Sequence, residues 1–341
     1  MKTLLALLII AIGSLGQSSS YVPINKVRNW SWECFWLIQG CFAWLIFPWL
    51  GAVCSLPDNL SLIALYSSVP VWKSILYGSL WGIGGLTFGL SMRYLGVALG
   101  QSIALGTCSA FGTLLPALFA GTDLLHGQGL ILLVGVCITL AGITIIGYAG
   151  SLRTKGLSEE EQREAIKDFA LTKGLLVALL AGVMSACFAL GLDAGQGIRD
   201  NMAAAGANNL LAGLPVILLV TVGGFITNAI YCLYQNTKNR TFKEYVQISA
   251  GDKVNNILLC ALAGLLWYSQ FFGLELGKSL MTDTPVLLAF SWCILMSLNI
   301  LFSNLWGLVL HEWKGAKPIT LVVLGIGLMV LLFSVFFPSL I

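Results

Sequence analysis

Charged side chains are rare in this sequence: only 10% of its 341 residues are Asp, Glu, Lys or Arg. Histidine occurs twice, at His126 and His311, and the nine cysteines include no C-x-x-C pair. We therefore expect neither a structural zinc site nor a disulfide framework. The phosphate-binding pattern G-x-x-x-x-G-K-[ST], the H-E-x-x-H pattern and paired catalytic carboxylates are missing as well. These absences argue against ATP-driven pumping and against an enzyme, and they predict no cofactor, metal or nucleic-acid partner.

Long apolar segments are what the sequence has in abundance. Hydrophobic residues make up 57% of the chain, and its mean hydropathy is +0.89. A helix rises about 1.5 Å per residue, so about 20 apolar residues cross a hydrocarbon core about 30 Å thick. Ten runs of this length follow one another, at residues 3–21, 34–54, 70–91, 97–120, 128–150, 174–192, 209–234, 254–276, 284–310 and 318–340. The sequence predicts an all-α integral membrane protein with ten transmembrane helices in a lipid bilayer.

The basic residues are distributed unevenly between alternate loops. Fourteen of the 18 Lys and Arg residues lie in or next to every second loop, at 22–33, 91–97, 151–173, 235–253 and 311–317. Loops rich in Lys and Arg stay on the cytoplasmic side of a membrane. We therefore expect these five loops in the cytoplasm and both chain termini on the outer side.

The first apolar run has an alternative interpretation as a cleaved signal peptide. Lys2 precedes the apolar stretch Leu4–Ile12, and the small polar stretch Gly16–Ser20 follows, as in many secretory signals. Small residues such as Gly13 also suit close packing between membrane helices. Removal of this segment would leave nine spans, so we expect it to be retained as the first helix.

The longest hydrophilic stretch divides the chain into two halves. Residues 151–173 place opposite charges at helical spacing, for example Glu159 and Arg163, so we expect a solvated linker helix. Five spans lie before it, in 1–150, and five after it, in 174–341. An odd number of spans makes the second half enter the membrane from the opposite face, which is the inverted-repeat plan of many secondary transporters. The sequence thus predicts two inverted five-helix repeats.

Amide, hydroxyl and indole side chains lie inside several apolar runs, where a polar group without a partner is costly. The residues predicted to line a binding cavity are Trp81, Trp267, Tyr268, Gln270, Ser291, Trp292 and Asn304. Amides form hydrogen bonds with hydroxyl groups, and aromatic faces cover the apolar side of a sugar ring. A neutral polyol is therefore the expected ligand, with hydrogen bonding between helices as the alternative role of each amide.

Several segments resemble the L-rhamnose–proton symporter family. They are Lys26-Val-Arg-Asn-Trp-Ser-Trp-Glu33 after the first helix, Trp81-Gly-Ile-Gly and Phe88-Gly-Leu-Ser-Met-Arg-Tyr-Leu-Gly96 in the third, Leu266-Trp-Tyr-Ser-Gln-Phe-Phe272 in the eighth, and Ser291-Trp292 with Gly307-Leu-Val-Leu-His-Glu-Trp313 in and after the ninth. These matches run in order across almost the whole chain. The family is part of the drug/metabolite transporter superfamily, whose fold of two inverted five-helix repeats agrees with the count of spans.

The resemblance implies secondary active transport of L-rhamnose with protons across a bacterial inner membrane. The chain departs from the family pattern around Gln17–Ser20, across Asp193–Ala205 and at Gly85, where the family has asparagine after Trp-Gly-Ile-Gly. Changes near a pocket alter sugar preference, so a related sugar such as fucose or lyxose is an alternative substrate. Export of a metabolite or drug, as in other members of the superfamily, is an alternative function.

A proton symporter needs an acid whose protonation differs between its outward- and inward-facing states. The two candidates are Glu33, at the start of the second span, and Glu275, closer to the interior of the eighth. Burial of Glu33 favours the neutral acid, whereas nearby Lys26 or Arg28 favours the carboxylate, and a carrier can exploit that competition. The alternative is that Glu33 only stabilises the start of its helix, where the helix dipole favours a carboxylate.

Overall fold

The computed structural model describes residues 2–24, 26–156 and 171–340. No β-strand occurs in this part of the chain, so the predicted all-α class is confirmed. The helices are α1 (Lys2–Ser19), α2 (Tyr21–Ile24), α3 (Trp32–Gly40), α4 (Phe47–Ser55), α5 (Leu62–Ser67), α6 (Trp72–Leu95), α7 (Val97–Phe119), α8 (Gly127–Lys155), α9 (Leu171–Ala194), α10 (Gln196–Ala204), α11 (Leu214–Asn239), α12 (Ala250–Ser279), α13 (Pro285–Val309) and α14 (Pro318–Phe336), with a π-helical segment at Cys41–Ile46 and 3₁₀ turns at Thr241–Tyr245 and Phe337–Ser339.

Ten helical segments in the described part are long and apolar enough to cross a membrane, which confirms the predicted number of spans. They cover Lys2–Ile24, Trp32–Ser55, Trp72–Leu95, Leu99–Phe119, Gly127–Lys155, Leu171–Ala204, Leu214–Asn239, Ala250–Ser279, Pro285–Val309 and Pro318–Ser339. The sixth extends beyond its predicted run, 174–192, because α10 continues almost directly from α9. Of the predicted linker helix, residues 151–155 form the end of α8, and residues 157–170 lie outside the described part.

The second membrane segment is irregular in its middle, and Pro48 explains why. A proline within a helix removes one backbone hydrogen bond, and its ring clashes with the carbonyl group four residues earlier. For Pro48 that carbonyl belongs to Trp44, and the chain is π-helical over Cys41–Ile46 before α4 begins at Phe47. A single wide turn of this kind accommodates the proline, and such turns are frequent at functional sites.

The described helices form two compact units. Unit 1 comprises Met1–Gly82 and Gly191–Leu280, and unit 2 comprises Ile83–Leu190 and Met281–Ile341. Each unit therefore takes helices from both halves of the sequence, and α6 and α9 continue from one unit into the other. The division of the chain into two inverted repeats stays a prediction.

In unit 1, α1 packs along α12, and the second membrane segment packs against both α11 and α12. Glycine permits the close approach of α1. A Cβ built on Gly13 would lie 2.7 Å from the carbonyl oxygen of Ser269, and one on Gly273 would lie 2.9 Å from that of Ile9. Small residues allow membrane helices to approach in this way. The first predicted span is thus a packed part of unit 1.

Unit 2 is built around α8, which packs against α7 and α14. Ile143 and Ile146 of α8 form a buried cluster with Leu324 and Leu331 of α14. Gly142 lies against Leu331, whose Cγ would be 2.9 Å from an added Cβ. Helix α13 packs against α7, α8 and α14 and completes this unit.

Candidate functional site

Four indole rings meet inside unit 1 and form what we call the tryptophan cluster: Trp36 of α3, Trp44 of the π-helical segment, Trp81 of α6 and Trp267 of α12. The Trp44 ring centroid lies 5.7 Å from that of Trp36 and 5.8 Å from that of Trp81. It lies 5.9 Å from that of Trp267. Edge-to-face angles of 85° and 79° to Trp81 and Trp267 follow the preference of aromatic quadrupoles. The structure thus brings together two predicted site residues and adds two that the sequence analysis missed.

Helix α11 holds two of these rings in place. The Trp81 ring lies directly against the backbone of Gly224, where an added Cβ would overlap it. Trp36 Nε1–H donates to Asn228 Oδ1 at 3.2 Å, and Asn228 Nδ2–H donates to the Gly224 carbonyl oxygen at 2.9 Å. Two residues one turn apart on α11 therefore fix the cluster: the backbone of Gly224 packs against the Trp81 ring, and the Asn228 amide accepts a hydrogen bond from Trp36.

Four buried polar atoms of unit 1 have no hydrogen-bond partner among the described residues: Trp44 Nε1, Gln39 Oε1, the Tyr268 hydroxyl oxygen and Ser14 Oγ. Their side chains are almost inaccessible, and Trp44 is 4% exposed. Buried polar groups are nearly always paired, and one left unpaired costs about 1–3 kcal/mol. The Trp44 N–H, at the centre of the tryptophan cluster, is therefore a donor available to a hydroxyl group of a bound ligand.

The two other residues predicted from α12 have different surroundings. The Tyr268 hydroxyl lies against the backbone of Gly51 in α4. Gln270 is buried, and its Nε2–H donates to the carbonyl oxygen of Trp267 at 3.1 Å. One amide hydrogen of Gln270 is thus used within its own helix, and the role of both residues as substrate ligands stays a prediction.

The predicted residues Ser291, Trp292 and Asn304 belong to unit 2. Trp292 stacks on Phe188, with ring centroids 5.8 Å apart and an angle of 19°, and its Nε1–H donates to the Cys108 carbonyl oxygen at 3.4 Å. Ser291 is buried. Asn304 Nδ2–H donates to the Ile300 carbonyl oxygen at 2.8 Å, one turn earlier in α13. These contacts within unit 2 favour packing for Trp292 and Asn304, while their role at a binding site stays a prediction.

Glu33 lies in the first turn of α3 and is 6% exposed. Its Oε1 accepts hydrogen bonds of 2.9 Å from Asn239 Nδ2 and from Thr241 Oγ1. Arg240, between these two donors, has a left-handed backbone with φ +59°, which turns the chain at the end of α11. Among the described residues, no ion pair joins Glu33 to a cation, so neutral donors hold it where the sequence suggested Lys26 or Arg28.

A wider hydrogen-bonded group surrounds this carboxyl, and we call Glu33, Cys34, Asn236, Asn239 and Thr241 the Glu33 cluster. Asn236 Oδ1 lies 2.9 Å from Thr241 Oγ1 and 3.2 Å from Cys34 Sγ. Asn236 Nδ2–H donates to the Cys232 carbonyl oxygen at 2.9 Å and lies 3.3 Å from the Tyr245 hydroxyl. Burial raises the pKa of Tyr245, so this phenol stays protonated near neutral pH.

Glu275 has a cation as its partner instead. Arg199 Nη2–H donates to Glu275 Oε2 at 3.0 Å, and Nη1–H donates to Oε1, so the two side chains form a two-point ion pair. Glu275 is 4% exposed. Gly213, just before α11, lies against both side chains, since an added Cβ would overlap them. This pair therefore lies near the start of α11, while the Glu33 cluster lies at its end.

The family described as L-rhamnose-proton symport protein (RhaT) matches this sequence over residues 2–339. The chain belongs to this family. The L-rhamnose-proton symporter of Yersinia pestis (strain Pestoides F) is 34% identical over 328 residues, which cover 95% of this chain and 93% of that protein. Symporters of the same name from Yersinia pseudotuberculosis serotype O:1b (strain IP 31758) and serotype O:3 (strain YPIII) match with equal identity and coverage. The L-rhamnose-proton symport family is one of transporters, not enzymes.

Three motifs that carried the resemblance to the L-rhamnose-proton symport family coincide with the sites in unit 1. The motif Lys26–Glu33 ends at the carboxyl of the Glu33 cluster. The motifs of the third and eighth helices contribute Trp81 and Trp267 to the tryptophan cluster. The expected family membership is confirmed.

Proposed function

We propose that this protein transports L-rhamnose together with protons across a bacterial inner membrane. The observation that carries the proposal is the match to the L-rhamnose-proton symport family over residues 2–339, on a chain with ten membrane helices in its described part. One charge moved through 100 mV supplies about 2.3 kcal/mol, and each unit of pH difference adds about 1.4 kcal/mol. Coupling to one proton thus supports accumulation of a neutral sugar on the order of several hundred-fold.

Within this proposal the sugar binds at the tryptophan cluster. L-Rhamnose is a neutral deoxyhexose with a methyl group, so it offers both hydroxyl groups and apolar surface. Indole faces suit the apolar surface, and the unpaired Trp44 N–H suits a hydroxyl group. Recognition through neutral groups suits an uncharged ligand, because a charged ligand would lose its hydration without forming an ion pair in return. Of the other predicted ligands, Tyr268 and Gln270 of unit 1 are secondary candidates for this site.

Glu33 carries the coupling proton in this proposal. Its partners, Asn239 and Thr241, are neutral, so the carboxyl can gain or lose a proton without leaving a bare opposite charge behind. Protonation of Glu275 would break its two-point ion pair with the Arg199 guanidinium, and neutralising one partner of a buried ion pair is strongly destabilising. Of the two predicted carboxyl groups, this comparison favours Glu33 as the proton carrier and Glu275 as half of a structural ion pair.

Transport proceeds by alternating access between two inverted repeats, 1–150 and 174–341, joined by the cytoplasmic linker 151–173. This part of the proposal rests on the five-plus-five arrangement of the spans and on the charge bias of the loops. It predicts that both termini lie on the periplasmic side. A reporter fused after residue 341 tests this, and a cytoplasmic signal would contradict it.

A related sugar is the second candidate substrate, and Gly85 is the observation that favours it. An added Cβ at Gly85 would meet no atom within 4 Å, so this position of α6 has room for the asparagine expected from the family pattern. Gly85 also follows Trp81 by four residues, on the same face of α6. Loss of an amide there removes a hydrogen-bonding group and leaves space for a different sugar.

Proton flux into proteoliposomes that contain the purified protein tests the proposed function. An inward gradient of L-rhamnose should drive proton uptake and alkalinise the external medium. L-Fucose and L-lyxose, tested in parallel, decide between the two candidate substrates. Proton flux with one of these sugars and none with L-rhamnose would replace the substrate but keep the mechanism. Absence of sugar-dependent proton flux with active exchange of labelled sugar would contradict proton coupling itself.

A further inference from the structure

The Thr241 hydroxyl group lies between two hydrogen-bond acceptors. Its oxygen is 2.9 Å from Glu33 Oε1 and also 2.9 Å from Asn236 Oδ1. A hydroxyl group has a single hydrogen and so donates to one acceptor at a time. Thr241 and Asn236 are both buried, which leaves little solvent to supply a second donor. The Thr241 hydroxyl therefore donates its hydrogen either to Glu33 Oε1 or to Asn236 Oδ1.

The charge of Glu33 determines which of these two acceptors the Thr241 hydroxyl donates to. A carboxylate is the stronger acceptor, because hydrogen bonds to an ionised group are roughly twice as strong as neutral ones. The ionised Glu33 therefore takes the Thr241 hydrogen. When Glu33 binds a proton, its own O–H becomes a donor, the Thr241 oxygen accepts that hydrogen, and the Thr241 hydrogen turns to Asn236 Oδ1. The protonated state thus forms a continuous chain from Glu33 through Thr241 to Asn236.

We propose that Thr241 is a positioning residue for the coupling proton, whose hydroxyl reorients with the charge of Glu33 and transmits that charge state to Asn236 of α11. This inference rests on the proposed role of Glu33 in symport. Asn236 is a suitable receiver because its amide also contacts the Cys232 carbonyl oxygen within α11 and the Tyr245 hydroxyl of the 3₁₀ turn.

The only other described donor to Asn236 Oδ1 is the Cys34 thiol, with Sγ at 3.2 Å. A thiol is a weak donor, so in the ionised state Asn236 is held less firmly than in the protonated state. The hydroxyl of Thr241 therefore couples proton binding at the start of α3 to the hydrogen bonding of the end of α11. The left-handed turn at Arg240 positions Thr241 for this contact.

Several other titratable groups lie near Glu33. On the elements packed against it they are Cys34 of α3, Cys232 of α11, Cys260 of α12, and Glu244 and Tyr245 of the 3₁₀ turn. The Glu244 carboxylate accepts a hydrogen bond from the backbone N–H of Ser31. The Thr241 hydroxyl donates to the carboxyl group of Glu33, whereas the carboxylate of Glu244 is hydrogen-bonded to Ser31.

Exchange of labelled L-rhamnose across proteoliposomes as a function of external pH tests the inference with Thr241→Val. This change keeps the shape and removes the hydroxyl. The ionised Glu33 then loses a charge-assisted hydrogen bond and the protonated form loses only a neutral one, so the pH of half-maximal exchange should rise by about 0.5–1 unit. Thr241→Ser, which retains the hydroxyl, should keep the parental profile.

Thr237→Val is the matched control, because Thr237 is an exposed residue of α11 whose hydroxyl donates to the Leu233 carbonyl oxygen. It should keep the parental pH profile. If Thr241→Val does not fold, Thr241→Ala serves as a second variant without the hydroxyl, with the same expected shift.

A parental pH profile in Thr241→Val, or an equal shift in Thr241→Ser, would overturn the role of the hydroxyl while leaving Glu33 as the proton carrier. The proposed function fails in a different way: the parent protein would then exchange labelled sugar with no sugar-dependent proton flux. The two failures are therefore distinguishable.

Discussion

The two buried carboxyl groups of unit 1 are near opposite ends of α11 and have opposite kinds of partner. Glu33 accepts hydrogen bonds from the neutral side chains of Asn239 and Thr241, whereas Glu275 is paired with the Arg199 guanidinium. At about 1.5 Å per residue, the 26 residues of α11 separate them by roughly 40 Å. Similar burial therefore does not mean similar chemistry, since the charge of the partner decides whether a carboxyl can exchange a proton.

The largest effect on stability is expected at the ion pair. Glu275→Gln breaks the buried two-point ion pair with Arg199, which should lower the free energy of unfolding by about 3–5 kcal/mol. Thermal unfolding of the purified protein in detergent measures this. The double variant Arg199→Met with Glu275→Met removes both charges and should be more stable than the single variant. Equal stability of Glu275→Gln and the parent would contradict the contrast between Glu33 and Glu275, because the ion pair of Glu275 would then have no structural role.

A smaller effect is expected in the tryptophan cluster, which should govern sugar affinity and leave coupling unchanged. Trp44→Phe keeps an aromatic ring but removes the unpaired N–H. Loss of one neutral hydrogen bond to a sugar hydroxyl, about 0.5–1.5 kcal/mol, should raise the apparent KM by roughly two- to tenfold. The number of protons moved per sugar should stay the same. Trp49→Phe, at an exposed position of α4, is the control and should leave KM unchanged. A parental KM in Trp44→Phe would assign Trp44 to packing alone.

The smallest effect is expected at the turn that positions the donors of the Glu33 cluster. Arg240 has φ +59°, a conformation that costs an L-residue about 1–2 kcal/mol and that glycine adopts freely. Arg240→Gly should therefore leave stability within about 1 kcal/mol of the parent, whereas Arg240→Val should be clearly less stable. Both values come from thermal unfolding in detergent. If Arg240→Gly were less stable than Arg240→Val, the left-handed backbone at position 240 would not be what determines the stability of these variants.

The membrane spans could be predicted from the sequence because they depend on local composition. Ten runs of about 20 apolar residues were sufficient to count the membrane spans, and the irregular turn before Pro48 had a local signal in the proline itself. Trp81 and Trp267 were also predicted, since both are aromatic residues in the middle of apolar runs.

The partners of these residues could not be predicted, because they come from distant parts of the chain. Asn239 and Thr241 lie 206 and 208 positions from Glu33. Arg199 lies 76 positions from Glu275. Trp44 was missed because its apolar neighbours made it look like an ordinary lipid-facing or packed indole. Only the packing of α3, α10, α11 and α12 reveals that one carboxyl has neutral donors and the other a guanidinium.

The most direct test of the account compares Glu33→Gln and Glu275→Gln in the same proteoliposomes, with sugar-driven proton flux and exchange of labelled L-rhamnose measured side by side. A glutamine at position 33 can still accept hydrogen bonds from Asn239 and Thr241 but cannot release a proton. Glu33→Gln should therefore lose proton flux and accumulation and retain exchange, whereas Glu275→Gln, per folded molecule, should retain all three. Normal proton-coupled accumulation in Glu33→Gln would contradict the account and remove Glu33 from the mechanism.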